Sequence, residues 1–209
     1  MFLHYIWDFD GTLFDSYPHL TLSLQRALKD FGYSHTTSEI LSLMKISVST
    51  CISYYKEKYG LGEELRERYR YYENNEFIVP IKPYPYLREV LAKIVESGGK
   101  NYIYTHRGKS AIEYIREFNM DCFFCDSITS EDNFPLKPAP DAILHLIKKH
   151  NMDKNTVIMI GDRDIDILSG HNAMVSGCLF DPDDFFPDMD VEFRVKSMKE
   201  FDEVLLNGI

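Results

Sequence analysis

Asp8-Phe9-Asp10-Gly11-Thr12-Leu13-Phe14-Asp15 is the stretch on which the reading of this chain turns. The seven residues before it, Met1 to Trp7, are largely apolar and predict a buried strand. Two carboxylates, a glycine and a threonine follow at once. Charge at the mouth of a buried strand is costly unless something compensates it, and a divalent cation would. In extended chain, residues two apart project to the same side, roughly 6.5–7 Å from one another. One of the two carboxylates can therefore attack a centre while the other manages a proton. Gly11 lets backbone amides approach an anion closely. The competing reading is an acidic surface turn after an edge strand, and the rest of the chain decides between them.

The chain has 209 residues, enough for one well-buried domain and a smaller insertion. A net charge of −10 argues against nucleic acid and against an anionic membrane surface. A phosphorylated substrate would need a bound cation and local basic groups to overcome that charge. No run approaches the ~18 apolar residues of a membrane span. The start lacks the basic and long apolar stretches of a signal peptide, so a cytoplasmic protein is expected. Cys122 and Cys125 have the spacing of a redox or zinc pair. They lie in an apolar strand-like run with no second pair or histidine to complete a tetrahedral site. Reduced core cysteines are the expectation.

From Tyr17 to about Phe77 the periodicity is helical. One helix runs from Tyr17 to Phe31 and stops at Gly32. Ser38 caps a short one reaching Met44, a third covers Val48–Tyr59, and a fourth Glu63–Phe77. Pro80, Pro83 and Pro85 mark a stiff return. From Tyr86 onward helix and strand alternate: helices at Tyr86–Ser97, Ser110–Phe118, Pro140–His150, Asp164–His171 and Ser197–Leu206, strands at Asn101–Thr105, Cys122–Ile128, Thr156–Ile160, Val175–Phe180 and Val191–Val195. Such alternation predicts an α/β fold, a parallel sheet with helices on both faces, whose ligands sit at the carboxyl ends of the strands. The acidic run Asp181–Asp190 reads as a solvated loop.

Three more features fall at strand ends. Thr105, followed by His106 and Arg107, places a hydroxyl where it can donate to a phosphate oxygen or cap a helix. Lys137, between prolines, is an ammonium on a rigid loop leading into a helix. Gly161-Asp162-Arg163-Asp164-Ile165-Asp166 puts three carboxylates in five residues after an apolar strand. Asp162 and Asp166 share a helical face. Capping accounts for one carboxylate and not for three, and oxygen ligands suit Mg²⁺.

These four segments, in this order, resemble the four motifs of the haloacid dehalogenase-like hydrolases. The resemblance implies a Rossmann-like catalytic core over residues 1–15 and 84–209. It also implies an all-helical cap over 16–83, of the small type found in phosphoglycolate phosphatase-like members. By that resemblance Asp8 is the nucleophile and Asp10 the acid and base. Lys137 neutralises charge, and Gly11, Thr105, His106 and Lys137 contact the phosphate. The metal shell comprises Asp8, the backbone carbonyl of Asp10, Asp162, and Asp166 through water. The implied activity is Mg²⁺-dependent phosphomonoester hydrolysis of a small phosphorylated metabolite through an aspartyl-phosphate. A mutase of the β-phosphoglucomutase kind and a silent binding module on the same fold are the alternatives. Asp10 argues against a dehalogenase, since a halide needs no proton. A monomer or weak dimer is expected. Lys45, Ser47 and Ser49 lie where they could face the active site, against the plainer reading of solvent exposure, and Arg107 is, like His106, a basic candidate for phosphate contact. Sequence does not decide the roles of Lys45, Arg107 and Arg163.

Overall fold

The computed structural model describes residues 1–75 and 79–207. The chain divides into two compact units, Met1–Phe14 with Pro83–Ile209, and Asp15–Lys82. In chain order the elements are β1 (His4–Trp7), β2 (Phe14–Asp15), α1 (Tyr17–Asp30), α2 (Thr37–Met44), α3 (Val48–Tyr59) and α4 (Glu64–Asn75). Then come β3 (Lys82–Pro83), α5 (Leu87–Glu96), β4 (Lys100–Tyr104), α6 (Ser110–Glu117) and β5 (Phe124–Ile128). The chain continues with α7 (Asp141–His150), β6 (Val157–Gly161), α8 (Asp164–Asn172), β7 (Ser176–Phe180), β8 (Phe193–Val195) and α9 (Met198–Phe201). Among the described residues no helix is long and apolar enough to cross a membrane.

The first unit is built on a six-stranded sheet of order β5-β4-β1-β6-β7-β8, with every pairing parallel. β1 lies between β4 and β6, with Trp7 beside Ile103 on one side and Ile160 on the other. The chain turns to opposite sides of β1 in its two halves, and open parallel sheets bind ligands at such a switch point. β1 and β6 are almost wholly apolar because parallel strands are covered on both faces. Trp7 is fully buried, with Nε1 donating to Asn101 Oδ1 at 2.9 Å, so its one polar atom is satisfied.

The second unit has its own core, in which Leu20, Leu24 and Leu28 of α1 meet Ile40, Ile52, Tyr55 and Leu65. Its sequence-predicted helices are present with small shifts. The second is capped by Thr36 rather than by Ser38, through a reciprocal capping box with Glu39, and so starts at Thr37. The predicted end of the fourth, Phe77, lies outside the described residues. Lys45, which an exposed reading would suit, is buried, with its ammonium 4.4 Å from the Tyr17 ring centroid. Ser47 is the N-cap of α3.

Two expectations in the first unit are corrected. Cys122 and Cys125 are free but exposed, not core; Cys122 sits in a short 3₁₀ turn, and β5 is an edge strand with less to cover it. The last predicted helix is two pieces, α9 and a π-helical turn over Asp202–Leu206. The acidic loop after β7 is organised by buried Asp181, which accepts from the amides of Phe185 and Phe186 and from Arg194.

Candidate active site

Three adjacent strands, β4, β1 and β6, are followed directly by Thr105, Asp8 and Asp162 respectively. Each is a polar residue buried at the carboxyl edge of the sheet, with fractional exposures of 2%, 1% and 0%. The loop before α7 contributes Lys137, and α8 contributes Asp166. The sequence-predicted groups thus converge from segments far apart in the chain.

Asp8 follows β1 directly, its amide donating to the Ile160 carbonyl at 2.8 Å. The turn after it closes tightly. The amides of Leu13 and Phe14 donate to the Phe9 carbonyl at 3.1 and 3.0 Å, and Gly11 N donates to the Phe14 carbonyl at 2.8 Å. Gly11 has φ +73°, a left-handed conformation that costs a side chain but not glycine. Its N–H is thus committed to the turn, and Gly11 shapes the backbone that follows Asp8.

Lys137 ties the centre together. Its Nζ lies 2.8 Å from Asp8 Oδ1 and 2.8 Å from Asp166 Oδ1, and donates to the Tyr104 carbonyl at 2.8 Å. Asp8, Asp162 and Asp166 each present a carboxylate oxygen within 4.8 Å of the others, all buried. Asp8 Oδ2 is buried with no hydrogen-bond partner among the described residues. Three oxygen donors, incompletely neutralised by one ammonium, fit a hard divalent cation. Asp10 is not one of the three converging carboxylates; the contact expected of it uses its backbone carbonyl. Asp164 is exposed and caps locally, accepting from Ile165 N at 2.8 Å.

The electrostatics follow from burial. Burial pushes the Asp8 carboxyl up to about 7, with Lys137 pulling it back and Asp166 pushing it further up. Burial acts in the same direction on Asp166, but Lys137 and Arg163 outweigh it and hold that carboxyl below the usual range. Burial opposes the Lys137 charge, yet Asp166 and Asp8 outweigh it and keep the ammonium above its ordinary value. Asp166 is also held by its own helix start, Oδ2 accepting from Arg163 N at 3.1 Å. A Cβ at Gly161 would collide with the Asp166 side chain, so only glycine lets the β6 end approach α8 this closely.

His106 lies against the loop that carries Lys137. Its Nε2 accepts from Lys137 N at 2.8 Å, which makes the ring neutral and gives it the task of holding the lysine loop. Burial, with Lys137 and Arg163, lowers its pKa from 6.5 to about 4. Between those values the unfolded chain takes up a proton that the folded protein refuses. Stability from this group is therefore complete above pH 6.5 and falls as the pH drops toward 4. Denaturant titrations should show His106→Gln, whose Oε1 can take the same hydrogen bond, losing less stability than wild type between pH 7 and pH 5. An equal loss in both would dismiss this role.

Arg107, a candidate phosphate contact by sequence, has a partner that sequence reasoning missed. Its Nε donates to Asp10 Oδ1 and Oδ2 at 3.1 and 3.0 Å, and its Nη2 to Oδ1 at 2.8 Å. Its own amide donates to Thr105 Oγ1 at 3.0 Å. The only sequence signal was an arginine two residues after the strand-end threonine, and nothing local points to a partner 97 positions away.

The family model described as haloacid dehalogenase-like hydrolase matches residues 5–180. A phosphoglycolate phosphatase of Mannheimia succiniciproducens is 25% identical over 184 residues, covering 82% of this chain and 81% of its own length. A hydrolase from Streptococcus pneumoniae is 25% identical with a TM-score of 0.69, covering 98% of each chain. A predicted phosphoglycolate phosphatase from Haemophilus somnus has a TM-score of 0.83 at 16% identity, covering 97% of each chain; that likeness is one of fold.

Proposed function

This chain belongs to the haloacid dehalogenase-like hydrolases, and from that premise we propose that it is a Mg²⁺-dependent phosphatase working through an aspartyl-phosphate on Asp8. Its substrate is a small phosphorylated metabolite, for which the relatives named phosphoglycolate phosphatase make 2-phosphoglycolate the first candidate. The helical unit takes the part of the family's cap. The observation that carries the reading is the buried Lys137 ammonium bridging Asp8 and Asp166 beside Asp162. A buried cation shared by two carboxylates is a costly arrangement for a fold to keep, and it suits a nucleophile that must approach a dianion.

Asp8, Asp162 and the Asp10 carbonyl would hold Mg²⁺, with Asp166 as an outer ligand, and the bound ion supplies positive charge against the phosphate. An Asp8 carboxylate oxygen attacks phosphorus, and the bond from phosphorus to the leaving oxygen breaks. Asp10 gives its proton to that oxygen, releasing an alcohol. Asp10, now a carboxylate, takes a proton from the water that attacks the phospho-enzyme, and inorganic phosphate leaves with Asp8 restored. Thr105 donates to a phosphate oxygen; its Oγ1 already accepts from Arg107 N, which leaves its hydrogen to give. Lys137 neutralises the crowded negative charge.

Phosphate release from 2-phosphoglycolate and from p-nitrophenyl phosphate, with Mg²⁺ and with a chelator, tests the reading. Turnover should vanish with the chelator; absence of metal-dependent turnover across a broad phosphate panel would refute it. The Asp8 value supplies a second check. A proton competes with the cation for a carboxyl that titrates near pH 7. The Mg²⁺-induced rise in Tm should therefore be larger at pH 8 than at pH 6, and a rise that shrinks with pH would contradict the assignment.

A further inference from the structure

We propose that Arg107 is a positioning residue that holds Asp10 in place for both of its proton transfers. The inference rests on the phosphatase reading above. Asp10 must donate a proton to the leaving oxygen and then accept one from water, so its carboxyl must stay within reach of one point through the cycle. A side chain that is partly exposed, as Asp10 is at 23%, would otherwise sample several rotamers. Arg107 prevents this with three donated hydrogen bonds from a planar fork.

The fork is itself fixed at several points. The Arg107 side chain is 11% exposed, and its guanidinium lies 5.6 Å from the Phe9 ring centroid. Its amide donates to Thr105 Oγ1, and its carbonyl accepts from Ser130 N at 3.1 Å. The strand-end threonine and the proton-transferring carboxyl are thereby tied through a single residue. The geometry also separates this role from the phosphate contact that a basic residue after Thr105 would suggest. A guanidinium engaged with both oxygens of Asp10 is directed at the acid and base.

The test uses two substrates of the whole protein and compares kcat/KM, which reports the steps through departure of the leaving group. p-Nitrophenyl phosphate expels an anion that needs no proton, whereas an alkyl phosphate, the one that wild type turns over best, needs Asp10 as acid. Arg107→Ala should lower kcat/KM for the alkyl phosphate by about 10²-fold, within the usual range for general acid catalysis, and by less than about 10-fold for the aryl ester. Arg107→Lys, which keeps the charge without the fork, should fall between wild type and Arg107→Ala in the same unequal way; should the alanine variant fail to fold, it carries the test. In an Asp10→Asn background, Arg107→Ala should cost the alkyl reaction less than about threefold more, because its effect passes through Asp10. Matching losses on both substrates, or additive losses in the double variant, would overturn the role and make Arg107 a phosphate ligand or a structural residue. Wild type inert towards both esters would instead defeat the phosphatase reading, and this role with it.

Discussion

Asp8→Asn is expected to lower phosphate release by at least about 10⁴-fold, the scale on which removing a covalent nucleophile acts, while the metal-free protein remains as stable as wild type or becomes more so. The second half of that expectation follows from burial. Asp8, Asp162 and Asp166 crowd three carboxylates into one buried cluster, and the Asp8 carboxyl is raised from 3.8 to about 7 as a result. A raised carboxyl contributes stability below its unfolded value and loses it as the pH rises through its folded value. At pH 8 wild type therefore bears the full cost of burying that charge, and Asn does not. Lys137 retains Asp166 as an ion-pair partner at 2.8 Å. Thermal unfolding in chelator should show the variant gaining most at pH 8 and gaining nothing near pH 4. Appreciable turnover by this variant would remove Asp8 as the nucleophile, and destabilisation at pH 8 would contradict the account of its environment.

Lys137→Ala should have the largest effect on stability. Nζ is buried and makes contacts to Asp8, Asp166 and the Tyr104 carbonyl. Removing one partner from a buried ion cluster leaves uncompensated charge and costs about 3–5 kcal/mol. For a chain of this size that lowers Tm by on the order of 10 °C. The effect should grow with pH, since Asp8 then carries its charge without an ammonium beside it. Mg²⁺ should recover part of the lost Tm by neutralising the same carboxylates, but not the activity, because the ammonium that screens the attacking and transferred groups is gone. A Tm unchanged in chelator at pH 8 would mean that the lysine is not the electrostatic centre of the site.

The parts of the molecule that the sequence made legible are those governed by local pattern. β1 and β6 could be read because strands covered on both faces are continuous apolar runs, and α3 because Gly60, in a left-handed conformation, ends it. The residues Asp8, Thr105, Lys137 and Asp162 could be read as a group because their segments follow one another in the order of the family's four motifs, although each alone had another explanation, such as a helix cap for Thr105. What sequence could not supply was long-range. Lys45 looked like an exposed lysine until its tertiary setting placed it over Tyr17. Cys122 and Cys125 share an apolar run with core strands, yet β5 lies at the sheet edge, a property of strand order and not of composition. His106 and Arg107 were equivalent basic candidates for a phosphate. Only the fold shows that one accepts from the Lys137 amide and the other grips Asp10. Gly161 gave no sign that its missing Cβ makes room for Asp166.

The central claim is that Asp8 itself carries the phosphoryl group between substrate and water. Rapid acid quench of Asp10→Asn with a ³²P-labelled aryl phosphate tests it most directly, because that leaving group departs without a proton while hydrolysis lacks its base. Label should accumulate on the peptide containing Asp8 and be released by hydroxylamine, as an acyl phosphate is. Label on any other residue, or product release with no label on the protein, would contradict it.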